Sequence, residues 1–447
     1  MFLDIASKAA EYSVSIYKKL IELGYEHDDI KSKIYAIPTS PIAYELTRKF
    51  YEILDLNLHN IAYEFNSYDL LEVKRGNRVD YEKVRDILQQ DTNFNEIKTN
   101  EEIITGGSTV EFGAVVGNPP YQVSDGGAQA SSKPIYQHFV MISELLQPKY
   151  SSFIMPTRWY AGGKGLNAFR NYMLHNSSIV ELHDITTPED IFPVTHNRGG
   201  VCYLLMDKDK TDADVKIYTH RNNQIVALSV RQLKIEGLDI FIRDSVGIEI
   251  IEKVKTKEEV FFSDYISSLR PFGFRGYFTD SDDYHHSPKN LSNPVKCYGK
   301  GMREGYVERE LITKSKEYID VWKVFIARAN NIATELNDDN LNTHLGRPNE
   351  ICTETYLMVG ADLGLNNESA LNLGKYFATK FARYMHSLAK PSQDSTSKTF
   401  RFVPVQDFTN TSDIDWSKPI EDIDKQLFDK YALTAEEREH INSSIKP

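Results

Sequence analysis

The chain has 447 residues, 41% hydrophobic and 26% charged, which suits two or three folded domains that bury enough surface to need no disulfide or metal staple. A net charge of -12 excludes a protein that coats nucleic acid non-specifically, but not one that meets phosphates with a local basic patch. The three cysteines, Cys202, Cys297 and Cys352, form no zinc-ribbon pair. With no apolar run long enough to span a bilayer and no basic-then-apolar start, a membrane is not expected and a cytoplasmic location is.

In chain order, residues 1–5 read as a strand and residues 8–24 as a helix, with Ala9, Tyr12, Ile16, Leu20 and Leu23 at helical spacing. Residues 33–37 predict a second strand. Ser40 is placed to cap a helix reaching about residue 55, with Pro41 in its first turn. Residues 61–65 predict a third strand and 80–90 a helix. Residues 111–117 form a short apolar strand that stops abruptly at Asn-Pro-Pro-Tyr. A helix over 134–147, a strand over 151–155, a helix over 164–175 and strands over 178–184 and 200–206 follow. This alternation predicts a mostly parallel, doubly wound sheet with helices on both faces. In such sheets ligands bind outside the C-terminal ends of the strands. Past about residue 235 the alternation stops, so a domain boundary is expected near 235–245, followed by a helix over 245–257.

The strongest local signal is Asn118-Pro119-Pro120-Tyr121, directly after Val115-Val116-Gly117. Each proline fixes its own φ and Pro119 also restrains Asn118, so the loop is stiff. It presents two fixed acceptors, the Asn118 side-chain oxygen and the Pro119 carbonyl. Two acceptors suit the two protons of an exocyclic amine. They orient its lone pair and stabilise positive charge as the nitrogen attacks a methyl sulfonium. Tyr121 suits stacking on an extrahelical base. A plain proline-rich turn yields the same tetrapeptide by chance, but its place after a buried strand in an alternating chain favours the chemical reading.

Residues 113–121 resemble the catalytic motif of the amino-methyltransferases that act on DNA adenine. Phe2 to Ala10 (FLDIASKAA) resembles the S-adenosyl-L-methionine motif at the end of the first strand of that family, and Asn66 to Leu71 (NSYDLL) resembles its third motif. Residues 134–165 and Phe192 to Leu205 resemble later parts of the same fold. The order of motifs is that of the gamma-class adenine-specific DNA methyltransferases, and in particular of the methylase part of single-chain restriction-modification proteins. The resemblance implies a Rossmann-like methyltransferase domain over 1–240 and a C-terminal α+β target-recognition domain over 241–447. It implies S-adenosyl-L-methionine as cofactor, no metal, and double-stranded DNA as partner. Asn118, Pro119, Pro120 and Tyr121 become the catalytic residues; Asp4, Ala6, Ser7, Ala10, Asp69 and Leu70 become the cofactor residues.

The chain departs from the family at three places. Lys8 and Ala10 stand where the family has glycines that let backbone approach the cofactor. Ile37 to Ser40 contains no acid for the ribose hydroxyls; Glu64 or Glu11 is the expected substitute. The segment that usually precedes the first motif is expected to come from elsewhere, a restriction or helicase subunit being the candidate partner. These departures make a catalytically impaired DNA-recognition subunit the runner-up reading, and a methyltransferase acting on RNA or a glutamine amide the third.

Arg158, Tyr160 and Lys164 flank Gly162-Gly163 and are candidate phosphate contacts, and His196 is a candidate for the target cleft. Arg270 and Arg275 interleave with Phe272, Phe274 and Tyr277 around glycine, a pattern that suits DNA contact. His285-His286 fits no standard metal spacing, and no phosphate-binding Walker sequence is present.

Overall fold

The computed structural model describes residues 1–90, 94, 109–123, 133–193, 199–332, 338–391 and 393–446. The chain divides into two compact units, Met1–Phe241 and Ile242–Pro447.

The first unit is built on eight strands: β1 (Phe2–Ser7), β2 (Ile34–Pro38), β3 (Ala114–Gly117), β4 (Tyr150–Pro156), β5 (Ile179–Ile185), β6 (Val201–Asp207), β7 (Val215–Arg221) and β8 (Gln224–Arg231). They lie in the order β8-β7-β5-β6-β4-β3-β1-β2. Helices α1 (Glu11–Glu22), α2 (Pro41–Ile53), α3 (Tyr81–Leu88), α4 (Tyr136–Leu146) and α5 (Asn167–His175) connect the first five strands. β1 is buried along nearly its whole length, Asp4 included, as a central parallel strand covered on both faces must be. Leu3, Ile5, Val115, Phe153, Met155, Leu182, Cys202 and Leu204 carry the core. The Ser40 hydroxyl accepts from the Ala43 N–H at 3.2 Å, with Pro41 opening α2, as the sequence predicts.

Three features correct the expected sheet. β1, β2, β3 and β4 are parallel neighbours, but β6 runs antiparallel between β4 and β5. Among the described residues the β5–β6 connection holds only the single turn Pro188–Asp190, not the crossover helix a parallel return needs. Residues 61–65 form no strand. Ile61 makes one bridge to Ala36 and Ala62 donates to the Ala36 carbonyl, after which Tyr63 and Glu64 are exposed. The next rungs past that bridge are closed: Pro38 has no N–H to give, and its carbonyl already accepts from the Ser67 N–H. Finally, β7 and β8 form a hairpin that the sequence reading passed over.

Gly117 ends β3 against β1. A Cβ there meets Ile5 Cγ2 at 2.9 Å and the Phe153 ring at 3.5 Å. Gly117→Ala is therefore expected to destabilise the protein by about 1–3 kcal/mol through overpacking, read as a lower urea midpoint with an unchanged slope. An unchanged midpoint would mean that the strand tip tolerates displacement.

The second unit contains β9 (Pro294–Tyr298), β10 (Glu304–Glu308), β11 (Lys323–Ala327), β12 (His344–Gly346), β13 (Glu350–Cys352) and β14 (Tyr356–Val359). They form two three-stranded sheets, β10-β9-β13 and β12-β11-β14. Helix α6 (Ser245–Lys255) starts at Asp244, whose carboxylate accepts from the Val246 and Gly247 N–H groups. Helices α7 (Asn367–Ala378), α8 (Lys380–Ser387), α9 (Ile420–Lys430) and α10 (Ala435–Ser444) follow the strands. Among the described residues no helix is long and apolar enough to cross a membrane.

Candidate active site at the ends of strands β1 and β3

Neighbouring parallel strands bring the Phe2–Ala10 segment and the Asn118–Tyr121 loop to one edge. Asp4 lies opposite Val116 on β3 and opposite Ala36 on β2, while Ser7 lies opposite Pro38. The count runs three residues on β1 against two on β2, a bulge that turns the chain after Asp4. Asn118 is two residues past Val116 and so emerges beside the end of β1.

The loop from β1 to α1 is held by its own side chains. Ser7 Oγ accepts from the Ala10 N–H at 3.1 Å and bonds Thr47 Oγ1 at 3.2 Å. Glu11 Oε2 accepts from the Ala9 N–H at 2.9 Å and the Lys8 N–H at 3.4 Å. Ala10 is buried with φ +58°. That left-handed conformation is the one glycine adopts freely, and it costs alanine about 1–2 kcal/mol. Lys8 and Ala10 thus keep the turn of a glycine loop with other side chains. Glu11, one expected ribose partner, is engaged in holding this loop.

Asp4 is fully buried, and neither carboxylate oxygen has a partner at full hydrogen-bond geometry, although the Ser7 hydroxyl and the Ala6 N–H lie near it. Burial pushes its carboxyl up to about 7, with the Ser7 hydroxyl opposing and Glu11 adding to the rise. Asn118 is half-buried, and its Oδ1 is buried without a partner; Pro119 and Pro120 are buried. The Tyr121 hydroxyl is also buried and unpartnered. Its ring meets Tyr136 and Phe192 edge-on, each at 6.5 Å between centroids. Burial pushes the Tyr121 hydroxyl well up, and Cys202 and Tyr12 add to it. Burial likewise pushes Tyr12 up to about 12, with Asp4 and Glu11 adding. Tyr12 is therefore within electrostatic reach of both the Asp4 carboxyl and Tyr121. The sequence reading gave it only a place on the apolar face of α1, and it missed Phe192 and Tyr136 as well, since an aromatic in an amphipathic stretch reads as core.

A buried amide oxygen or carboxylate left unbonded costs about 1–3 kcal/mol or more. Such a cost persists where a ligand supplies the missing donor. The Asn118 oxygen matches an amine donor and the Asp4 carboxyl a cation. The chemistry of these groups therefore fits a positively charged donor molecule beside a nitrogen acceptor.

The remaining expected residues are less concentrated. Ala6 is buried. Asp69 is exposed and its Oδ2 accepts from the Asn66 N–H at 2.9 Å, while the Leu70 side chain lies in the core. Arg158 is exposed and close enough to Tyr136 to oppose the upward pull of burial on its hydroxyl. Tyr160 corrects the expectation of a DNA contact: it is 3% exposed, donates to Asp184 Oδ1 and packs edge-on against Trp159 and Phe241. His196 lies outside the described residues. In the second unit Arg270 is half-buried and paired with Glu354 at 2.9 Å, which removes it as a free phosphate contact. Phe272 and Phe274 are core residues. Arg275 is exposed over the exposed Tyr277 ring and remains available.

Residues 32–192 match the family described as Eco57I restriction-modification methylase; the matched stretch contains the Asn118–Tyr121 loop. An uncharacterized adenine-specific methylase of Mycoplasma pneumoniae is 28% identical over 177 residues, covering 37% of this chain and 40% of that relative. The aligned part is thus well under two thirds of the relative's length. Among solved structures, the Type IIL restriction-modification enzyme MmeI in complex with DNA superposes with a TM-score of 0.50 at 10% identity, covering 99% of this chain and 73% of that one. A nuclease-deletion mutant of the Type ISP enzyme LlaGI gives 0.47 at 9% identity, covering 88% and 49%. The MmeI likeness is one of fold.

Proposed function

We propose that this chain, an Eco57I-type restriction-modification methylase over residues 32–192, transfers a methyl group from S-adenosyl-L-methionine to the 6-amino group of adenine in DNA. The observation that carries the reading is the unpartnered, buried Asn118 oxygen at the tip of β3, together with the buried Asp4 carboxyl on the neighbouring strand β1. In this reading residues 1–240 catalyse and residues 241–447 recognise the target.

Asp4, the loop from Ala6 to Ala10 and the segment around Asp69 would hold the cofactor. Bound there, S-adenosyl-L-methionine would supply an electrophilic methyl group on a sulfonium. Asn118 Oδ1 and the Pro119 carbonyl accept hydrogen bonds from the two protons of the adenine amine. That pairing turns the nitrogen lone pair out of the base plane and stabilises positive charge on nitrogen as it becomes tetrahedral. The stiffness of the proline pair means that this geometry is set before the base arrives, so little reorganisation is needed in the transition state. Tyr121 replaces the stacking that a flipped base loses, and Phe192 and Tyr136 hold the Tyr121 ring edge-on. Arg158 and Arg275 are the proposed phosphate contacts.

One observation favours the runner-up reading of a recognition subunit without catalysis: the Lys8 and Ala9 N–H groups are already bonded to Glu11. Titration calorimetry separates the two. Micromolar binding of S-adenosyl-L-methionine supports the enzyme. No heat at millimolar donor supports the recognition subunit.

A further inference from the structure

No acid stands at the end of β2, where Ile37-Pro38-Thr39-Ser40 runs into α2, so a nucleoside bound across this edge lacks the usual carboxylate for its sugar. Ser67 lies at that place. Its N–H donates to the Pro38 carbonyl at 2.9 Å, and Pro38 is in register with Ser7 at the end of β1. Thr39 in turn donates its N–H to the Ser7 carbonyl. Ser67 is 0% exposed, and its hydroxyl has no hydrogen-bond partner.

From Asn118 past β1 and β2 to Ser67 is three strand spacings, on the order of 14 Å. The edge therefore carries, in order, the acceptor for the amine, the buried Asp4 carboxyl and an unpaired hydroxyl. A donor molecule with its reactive carbon beside Asn118 and its charged tail near Asp4 must lay its nucleoside toward β2. Serine can donate and accept at once, which is what a sugar hydroxyl requires.

We propose that the Ser67 hydroxyl binds a ribose hydroxyl of the methyl donor and is a positioning residue that replaces the absent acid. The assignment rests on the function proposed above. It assigns no role in sugar binding to Glu64 or Glu11.

The test is calorimetric binding of S-adenosylhomocysteine and of its 2′-deoxy and 3′-deoxy analogues to the wild-type chain and to Ser67→Ala. One neutral hydrogen bond corresponds to about three- to tenfold in affinity. Wild type should lose that factor on removal of one of the two sugar hydroxyls, Ser67→Ala should lose it for the parent ligand, and the variant should no longer distinguish the analogues. Because the hydroxyl is unpaired in the free chain, Ser67→Ala should leave the melting temperature unchanged or raise it. A lowered melting temperature would reveal a structural partner and overturn the assignment. So would a variant that binds and discriminates as wild type does. If wild type binds no ligand at all, the methyltransferase reading falls first and the assignment with it.

Discussion

Asn118→Ala is expected to reduce methyl transfer by at least about 10³-fold, the scale seen when one preorganised hydrogen-bonding group is removed from a charge-stabilising site, while DNA and donor binding change only a few-fold. The argument is one of timing. The Asn118 oxygen matters little to a base in its ground state, where the amine is planar and nearly neutral. It matters most when the nitrogen carries positive charge, so its loss falls on kcat and not on KM. Stability should not suffer. The oxygen has no partner in the free chain, and removing an unsatisfied buried polar group is neutral or favourable. A variant that melts normally, binds normally and methylates normally would remove the basis of the proposal.

Asp4→Asn is expected to stabilise the free protein at alkaline pH and to abolish the pH dependence of donor binding. The folded-state value of about 7 exceeds the ordinary value of about 3.9 in an unfolded chain. The folded state therefore holds the proton more tightly. The contribution of Asp4 to stability is fully present below about pH 4 and is lost as pH rises through about 7. That difference corresponds to roughly 4 kcal/mol, so the asparagine variant should gain up to that amount over wild type at pH 8 and nearly nothing at pH 4. Binding runs the other way. A cationic donor needs the carboxylate, so wild-type affinity should rise about tenfold per unit toward pH 7 and then level off, with proton release on binding. Chemical unfolding across pH, with calorimetry in buffers of different ionisation enthalpy, reads both. Equal stability and flat binding in both proteins would place Asp4 outside the donor site.

Much of this site could be read from residue order alone, because an apolar strand running into Asn-Pro-Pro-Tyr specifies a rigid loop by covalent constraint. Ser40-Pro41 likewise specified its helix start through local capping chemistry. The burial of the Asn118 oxygen and of Asp4 could not be read, since it depends on which strands become neighbours. Ser67 gave no signal, because serine in a polar loop is commonplace and only its enclosure without a partner distinguishes it. The β7–β8 hairpin did carry a signal. Asn222 and Asn223 stand between two alternating apolar runs, and both have positive φ, 51° and 59°, as a two-residue type I′ turn requires. The expected strand at 61–65 had good strand residues but faced Pro38, which has no N–H and whose carbonyl is taken by Ser67. Tyr160 and Arg270 had the residue types of DNA contacts. Long-range packing placed one in the core and tied the other to Glu354, 84 residues on. Apart from the hairpin turn, these outcomes are set by contacts between distant parts of the chain, which pattern and propensity do not carry.

The central claim, that the loop at the tip of β3 holds the 6-amino group of an extruded adenine, is tested most directly by nucleoside mass spectrometry. Unmethylated plasmid DNA would be incubated with the purified chain and methyl-labelled S-adenosyl-L-methionine, with Asn118→Ala in parallel. Label appearing in N6-methyladenine with wild type and absent with the variant is the predicted result. Label in a cytosine product, or equal label from both proteins, would contradict it.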